Sequence, residues 1–71
     1  MNAMSELYLQ YEDCIRVQKR VIERNRKRLR QAQNSCNASE VQRLNKVLRV
    51  LYEEKSELEE RAQGLKDYLQ Q

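Results

Sequence analysis

The chain has 71 residues, of which 35% are charged and 39% hydrophobic, with a formal net charge of +3 at pH 7. This length allows one domain at most, spanning residues 1–71. No apolar run approaches the ~20 residues that a membrane-spanning helix needs, and the N-terminus lacks the apolar core of a signal peptide. Proline is absent and glycine occurs once, which favours long helices.

The composition also argues against catalysis. Histidine, the commonest general acid–base group near neutral pH, is absent. The chain has no metal-ligand spacing and no glycine-rich phosphate loop. We therefore predict that it is not an enzyme and has no cofactor, metal or small-molecule substrate.

The two cysteines are predicted to be free thiols. Cys14 and Cys36 lie 22 residues apart, about 33 Å along a helix, against a Cα–Cα limit near 7 Å for a disulfide. Cys14 is expected to pack beside the helix seam and Cys36 to be exposed in a turn. Unpaired thiols fit a reducing compartment, so we predict a cytoplasmic protein.

Apolar residues recur in alternating steps of three and four along the first half of the chain. This spacing predicts an α-helix over about residues 4–34 with one seam facing a partner helix. Its seam consists of Tyr8, Tyr11, Ile15, Gln18, Ile22, Asn25, Leu29 and Ala32.

A cluster of small polar residues predicts a turn at about 35–38. The same apolar spacing then predicts a second helix over about 39–69. Its seam consists of Val41, Leu44, Leu48, Leu51, Lys55, Leu58, Ala62, Leu65 and Leu69. Gly64 lies off this seam and should cost about 1 kcal/mol relative to alanine without breaking the helix.

Residues suited to helix capping occur at both predicted starts. Ser5 is the candidate N-cap of the first helix. The second helix offers two capping boxes, Asn37 with Glu40 or Ser39 with Gln42.

Folding the chain at the turn predicts an all-α, antiparallel two-helix hairpin of the coiled-coil type. Residues whose numbers sum to about 73 then share a layer, which brings Gln18 and Lys55 together. Such a polar layer can set register or oligomeric state. It could instead admit a ligand or partner side chain, or Lys55 could extend past the seam to water.

Further apolar residues lie off the seam. A two-helix hairpin of this size buries little apolar area and needs a staple or an oligomer, so we predict a homodimer that forms a four-helix bundle. The alternative is a groove for a different protein. The candidate interface residues are Leu7, Cys14, Val17, Val21, Val47, Val50 and Tyr52.

Basic residues concentrate near the turn. Their arginine-rich composition suits phosphate contacts, so nucleic acid or an acidic partner is a candidate ligand, and a solvated charged face is the alternative. Farther from the turn, Glu53, Glu54 and Glu57 are expected to neutralise basic residues Arg16, Lys19 and Arg20 across the hairpin. The candidate contact residues are Arg24, Arg26, Lys27, Arg28, Arg30, Arg43, Lys46 and Arg49.

The predicted architecture is similar to that of the small plasmid copy-number regulators, which pair two helical hairpins and bind RNA loops. The likeness is one of architecture, with no shared motif. From the residues, we predict a non-enzymatic interaction module, a small regulator or adaptor that acts through protein–protein contacts. The alternative is a small nucleic-acid-binding regulator that uses the basic end.

Overall fold

The structure, a computed structural model, describes residues 2–71 and consists of two α-helices packed against each other. Helix α1 spans Ala3–Asn34 and helix α2 spans Ala38–Leu69, each with 32 residues. The described part of the chain contains no strand. The predicted all-α hairpin is therefore confirmed, and each helix begins one residue earlier than expected.

The capping residues explain the earlier starts. The side chain of Asn2, rather than Ser5, caps α1, because its Oδ1 accepts the Ser5 N–H at 2.8 Å. The Ser5 prediction is wrong because Asn2 is an equally good cap that lies three residues upstream. At α2, Asn37 is the N-cap, because its Oδ1 accepts the Glu40 N–H at 3.2 Å. The return bond of the predicted capping box does not form, since the Asn37 N–H donates to the Ala32 carbonyl and the Glu40 carboxylate accepts from Arg43.

The turn is a Schellman motif. The Asn37 N–H donates to the Ala32 carbonyl at 2.9 Å, and the Cys36 N–H donates to the Gln33 carbonyl at 3.1 Å. Cys36 has a backbone in the left-handed region, with φ of 56°. Asn37 thus completes the end of α1 and caps the start of α2, which makes the reversal sharp.

The seam between the helices follows the predicted heptads. The buried hydrophobic residues of the described chain are Ile15, Ile22, Ala32, Leu44, Leu48 and Ala62. All six are seam positions, and every other predicted seam residue is half-buried. Leu44, near the turn, is the one large side chain of residues 2–71 that is fully buried.

The molecule is a thin rod of 52 × 16 × 13 Å with a radius of gyration of 16.1 Å. A compact chain of this length would have a radius near 11 Å. Its accessible surface of 5480 Å² likewise exceeds the roughly 4,700 Å² expected for a compact protein of this mass. None of the helices within residues 2–71 combines the length and the apolar composition needed to cross a bilayer.

Candidate interaction surfaces

One side of the hairpin carries a strip of apolar side chains that are exposed or half-buried. Each heptad has two seam positions, and the first lies three residues before the second. Cys14, Val21 and Val47 each directly precede a first seam position, so they lie on one side of the antiparallel pair. Val17 and Val50 lie beside them and are 55% and 51% exposed. We call this strip of five residues the valine face.

Two shallow grooves lie on the valine face. One is lined by Cys14, Val17 and Leu58, with Asp13 and Gln18 at its edge. The walls of this groove are therefore mainly apolar. Cys14 is exposed there rather than packed as expected, because the seam beside it is filled by Ile15, which is 7% exposed.

The second groove lies nearer the turn on the same side. It is lined by Val47, Val50 and Leu51, with Lys46 at its edge. Both helices thus contribute apolar side chains to the valine face.

The seven candidate interface residues do not all share this side. Tyr52 lines a different groove, together with Lys19, Ile22, Glu23, Arg26 and Lys55. Leu7 has the same heptad position as Cys14 but lies one heptad closer to the termini, where it is 38% exposed. The heptad position of Tyr52, directly after a seam residue instead of before one, is the sequence signal that separates it from the valines.

Gln18 ties the two helices together. Its Nε2 donates to the Leu51 carbonyl at 3.1 Å and to the Glu54 carboxylate at 3.1 Å. Lys55 is half-buried in the seam, and its Nζ pairs with Glu59 on the same helix at 3.0 Å. Gln18 and Lys55 therefore both occupy the seam, but each bonds to other partners.

Salt bridges in the described chain form within helices, not between them. Arg16 pairs with Asp13, Arg30 with Glu23, Arg43 with Glu40, and Lys55 with Glu59. The expected neutralisation of basic residues 16–20 by acidic residues 53–57 across the hairpin does not occur among these described pairs. Exposed ion pairs across helices gain little free energy, and a carboxylate one turn away needs less ordering of the side chains.

The two halves of the rod differ in charge. The loop half, residues 19–54, has ten lysines and arginines against four acids, a net charge of +6. The terminal half, residues 1–18 and 55–71, has four against seven, a net charge of −3. The hairpin therefore has a basic end at the turn and an acidic end at the termini.

Most of the candidate phosphate-contact residues are free of carboxylate partners. Arg30 and Arg43 form salt bridges, and within residues 2–71 the other six form none. The hydrogen bond from Arg43 lowers the pKa of the Glu40 carboxyl, and the charge of Arg28 acts in the same direction. The acid near the turn is thus paired with Arg43, which leaves the remaining cations available to an external anion.

Metal-ligating side chains do not cluster in the part of the chain that the structure describes. No group of three or more His, Cys, Asp or Glu side chains there could hold a metal ion. Comparison of the chain with protein-family models, curated proteins and solved structures finds no match. The distinctive features of the described chain are the valine face, the hydrogen bonds from Gln18 to α2 and the basic loop half.

Proposed function

We propose that the protein is a homodimeric, non-enzymatic interaction module. Two hairpins pair through their valine faces to form a four-helix bundle, which acts as a cytoplasmic regulator or adaptor through protein–protein contacts. The observation that carries this proposal is the valine face, an apolar strip that runs across both helices of a chain with a very small core.

The energetics of the isolated hairpin support pairing. Only six hydrophobic residues of the described chain are buried, and such a core rarely supplies more than a few kcal/mol below about 70–80 residues. Each exposed valine that becomes buried contributes about 1.5 kcal/mol or more. Dimerisation thus adds apolar burial that the hairpin alone lacks.

The side of the rod that carries the valine face is large enough for a dimer interface. A side of the rod measuring 52 × 16 Å offers about 800 Å², which is one partner's share of a standard protein–protein interface. Charged residues, Glu54 and Glu57 among them, border the five apolar residues of the valine face, and an apolar core with a polar rim is the usual anatomy of an interface.

Sedimentation equilibrium of the wild-type chain and two matched variants tests the dimer. Val17→Glu places a charge on the valine face, whereas Tyr52→Glu places one on the other side of the hairpin at a residue of similar exposure. We expect twice the 8.6 kDa chain mass for the wild type and Tyr52→Glu, and a large shift to monomer for Val17→Glu. A wild-type monomer at about 100 μM, far above the Kd of a stable dimer, would refute the dimer.

A separate experiment tests whether the partner is a protein. The tagged protein is purified from lysate with and without nuclease. Retention of the same stoichiometric protein after nuclease treatment supports a protein partner, and a partner that disappears with the nuclease contradicts it.

A second candidate function is nucleic-acid binding by the loop half, favoured by the six cations without salt bridges in the described chain. Lys and Arg release counterions from phosphates, so affinity should fall steeply between ~50 mM and ~200 mM salt. Titration with duplex and structured RNA should show this fall. No detectable affinity at ~50 mM salt excludes this function.

Variants of the two halves refine that titration. Arg26→Gln with Lys46→Gln should weaken binding and reduce the salt slope by about one for each phosphate that is no longer neutralised. Arg61→Gln with Lys66→Gln removes equal charge from the terminal half and serves as the control. Equal weakening by both pairs would indicate attraction by net charge alone.

A further inference from the structure

We infer that the two copies dock antiparallel, with α1 of one copy on α1 of the other and the two turns at opposite ends of the bundle. Val17 then lies close to the two-fold axis. This orientation rests on the dimer proposed above and goes beyond it by specifying which surfaces meet.

The spacing of apolar residues on α1 is the first argument. A two-fold interface brings the same patch of both copies together, so the patch must complement itself. In an antiparallel pair centred on Val17, this residue faces the partner copy's same position, and the Cys14 end of the patch meets the Val21 end. Apolar side chains therefore meet apolar side chains at three successive residues of the patch.

The opposite orientation, with both turns at one end, pairs α1 with α2 of the other copy. Residues at the same height then face each other, which sets Val17 against Glu54 and Glu57. Glu54 already accepts a hydrogen bond from Gln18. In that orientation Val17 meets charged groups across the interface, whereas in the antiparallel pair it meets an apolar side chain.

Charge is the second argument. Antiparallel docking places the loop half of each copy, with its net charge of +6, beside the terminal half of the other, with −3. The opposite orientation places the two +6 halves together, and like charges across an interface oppose association. The repulsive contact in the antiparallel arrangement is between Glu54 and Glu57 of the two α2 helices, at the middle of the rod.

The position of the patch along the rod is the third argument. Cys14, Val17 and Val21 surround the midpoint of α1, which spans Ala3–Asn34. Antiparallel docking about this point overlaps the two rods along nearly their full 52 Å length. A centre nearer either end would leave part of each hairpin uncovered.

Distance measurement between spin labels on the native Cys36 tests the orientation. In a Cys14→Ser background, each copy carries one label at its turn, where Cys36 is exposed. Antiparallel docking predicts a separation of about 50 Å, close to the rod length of 52 Å. The opposite orientation predicts about 20 Å, since packed helices lie about 8–10 Å apart.

A cross-linking variant tests the position of the axis. In a chain that carries both Cys14→Ser and Cys36→Ser, Val17→Cys should form a disulfide-linked dimer on mild oxidation. Tyr52→Cys in the same background is the matched control and should remain unlinked.

The outcomes separate this inference from the proposed function. A dimer by sedimentation with a short label distance overturns the orientation alone, and a monomer overturns both. A long label distance with no Val17→Cys cross-link overturns the placement of the axis.

Discussion

Cys36 shows how one residue limits the stability of the turn. Its φ of 56° costs a non-glycine residue about 1–2 kcal/mol. The Schellman hydrogen bonds require this conformation, because the Asn37 N–H must turn back to the Ala32 carbonyl. The chain thus carries local strain at the point where it reverses.

Cys36→Gly should raise the free energy of unfolding by about 0.5–1 kcal/mol, since glycine removes the steric cost but loses more entropy on folding. Urea denaturation monitored by circular dichroism measures the change. Cys36→Val, which is β-branched, should lower stability and serves as the opposing control. A less stable glycine variant would show that the turn is not strained.

Gln18 is the other residue whose contacts carry a prediction. Gln18→Leu should raise the unfolding free energy by about 1 kcal/mol, because leucine suits the seam and the Glu54 carboxylate that it releases lies in solvent. The substitution should also make the relative orientation of the two copies less specific, since a polar seam position restricts orientation. The label distance at Cys36 should then become bimodal. A single unchanged distance would refute the role of Gln18 in orientation.

At the scale of the element, α2 contains a weak point at Gly64. A Cβ added there meets no atom within 4 Å, and the helix continues through it to Leu69. Gly64→Ala should therefore stabilise the protein by about 1 kcal/mol through helix propensity alone. Thermal unfolding measures the gain, and Gln63→Ala, also exposed, should give almost none.

The start of α2 predicts a pH dependence. Arg43 lowers the pKa of Glu40 from its ordinary value of 4.5. A lowered folded-state pKa means that the ionised Glu40 stabilises the fold above about pH 4.5, and this contribution disappears as pH falls through the lowered value. The stability difference between wild type and Glu40→Gln should therefore be present at pH 7 and shrink as the pH is lowered below 4.5. A difference that persists at the lower pH would contradict the ion pair.

At the scale of the whole molecule, the thin core makes folding depend on assembly. If two chains fold together, a 100-fold rise in concentration adds about 2.7 kcal/mol per dimer. The melting temperature should therefore rise between about 5 and 500 μM chain. Val17→Glu should remove this dependence, and a wild-type melting temperature that is independent of concentration would refute coupled folding.

The sequence by itself determined the two helices, the turn and the seam. Each seam residue from Tyr8 to Leu69 is buried or half-buried as the heptad spacing predicts. The prediction of the seam succeeds because helical periodicity alone sets which side of a helix a residue occupies. Hydrophobic burial then places the apolar side of each helix against the other helix. The same spacing was sufficient to separate Tyr52 from the valine face, although residue type alone grouped them.

Only the tertiary structure decided which polar groups bond. Gln18 bonds to Leu51 and Glu54 instead of Lys55, Arg16 pairs within α1, and Asn2 replaces Ser5 as the cap. Heptad spacing leaves each of these groups more than one candidate partner of the same chemical type. Distances of a few tenths of an ångström decide among them, because hydrogen bonds weaken steeply with distance and angle. Heptad spacing specifies the direction of a side chain but not these distances.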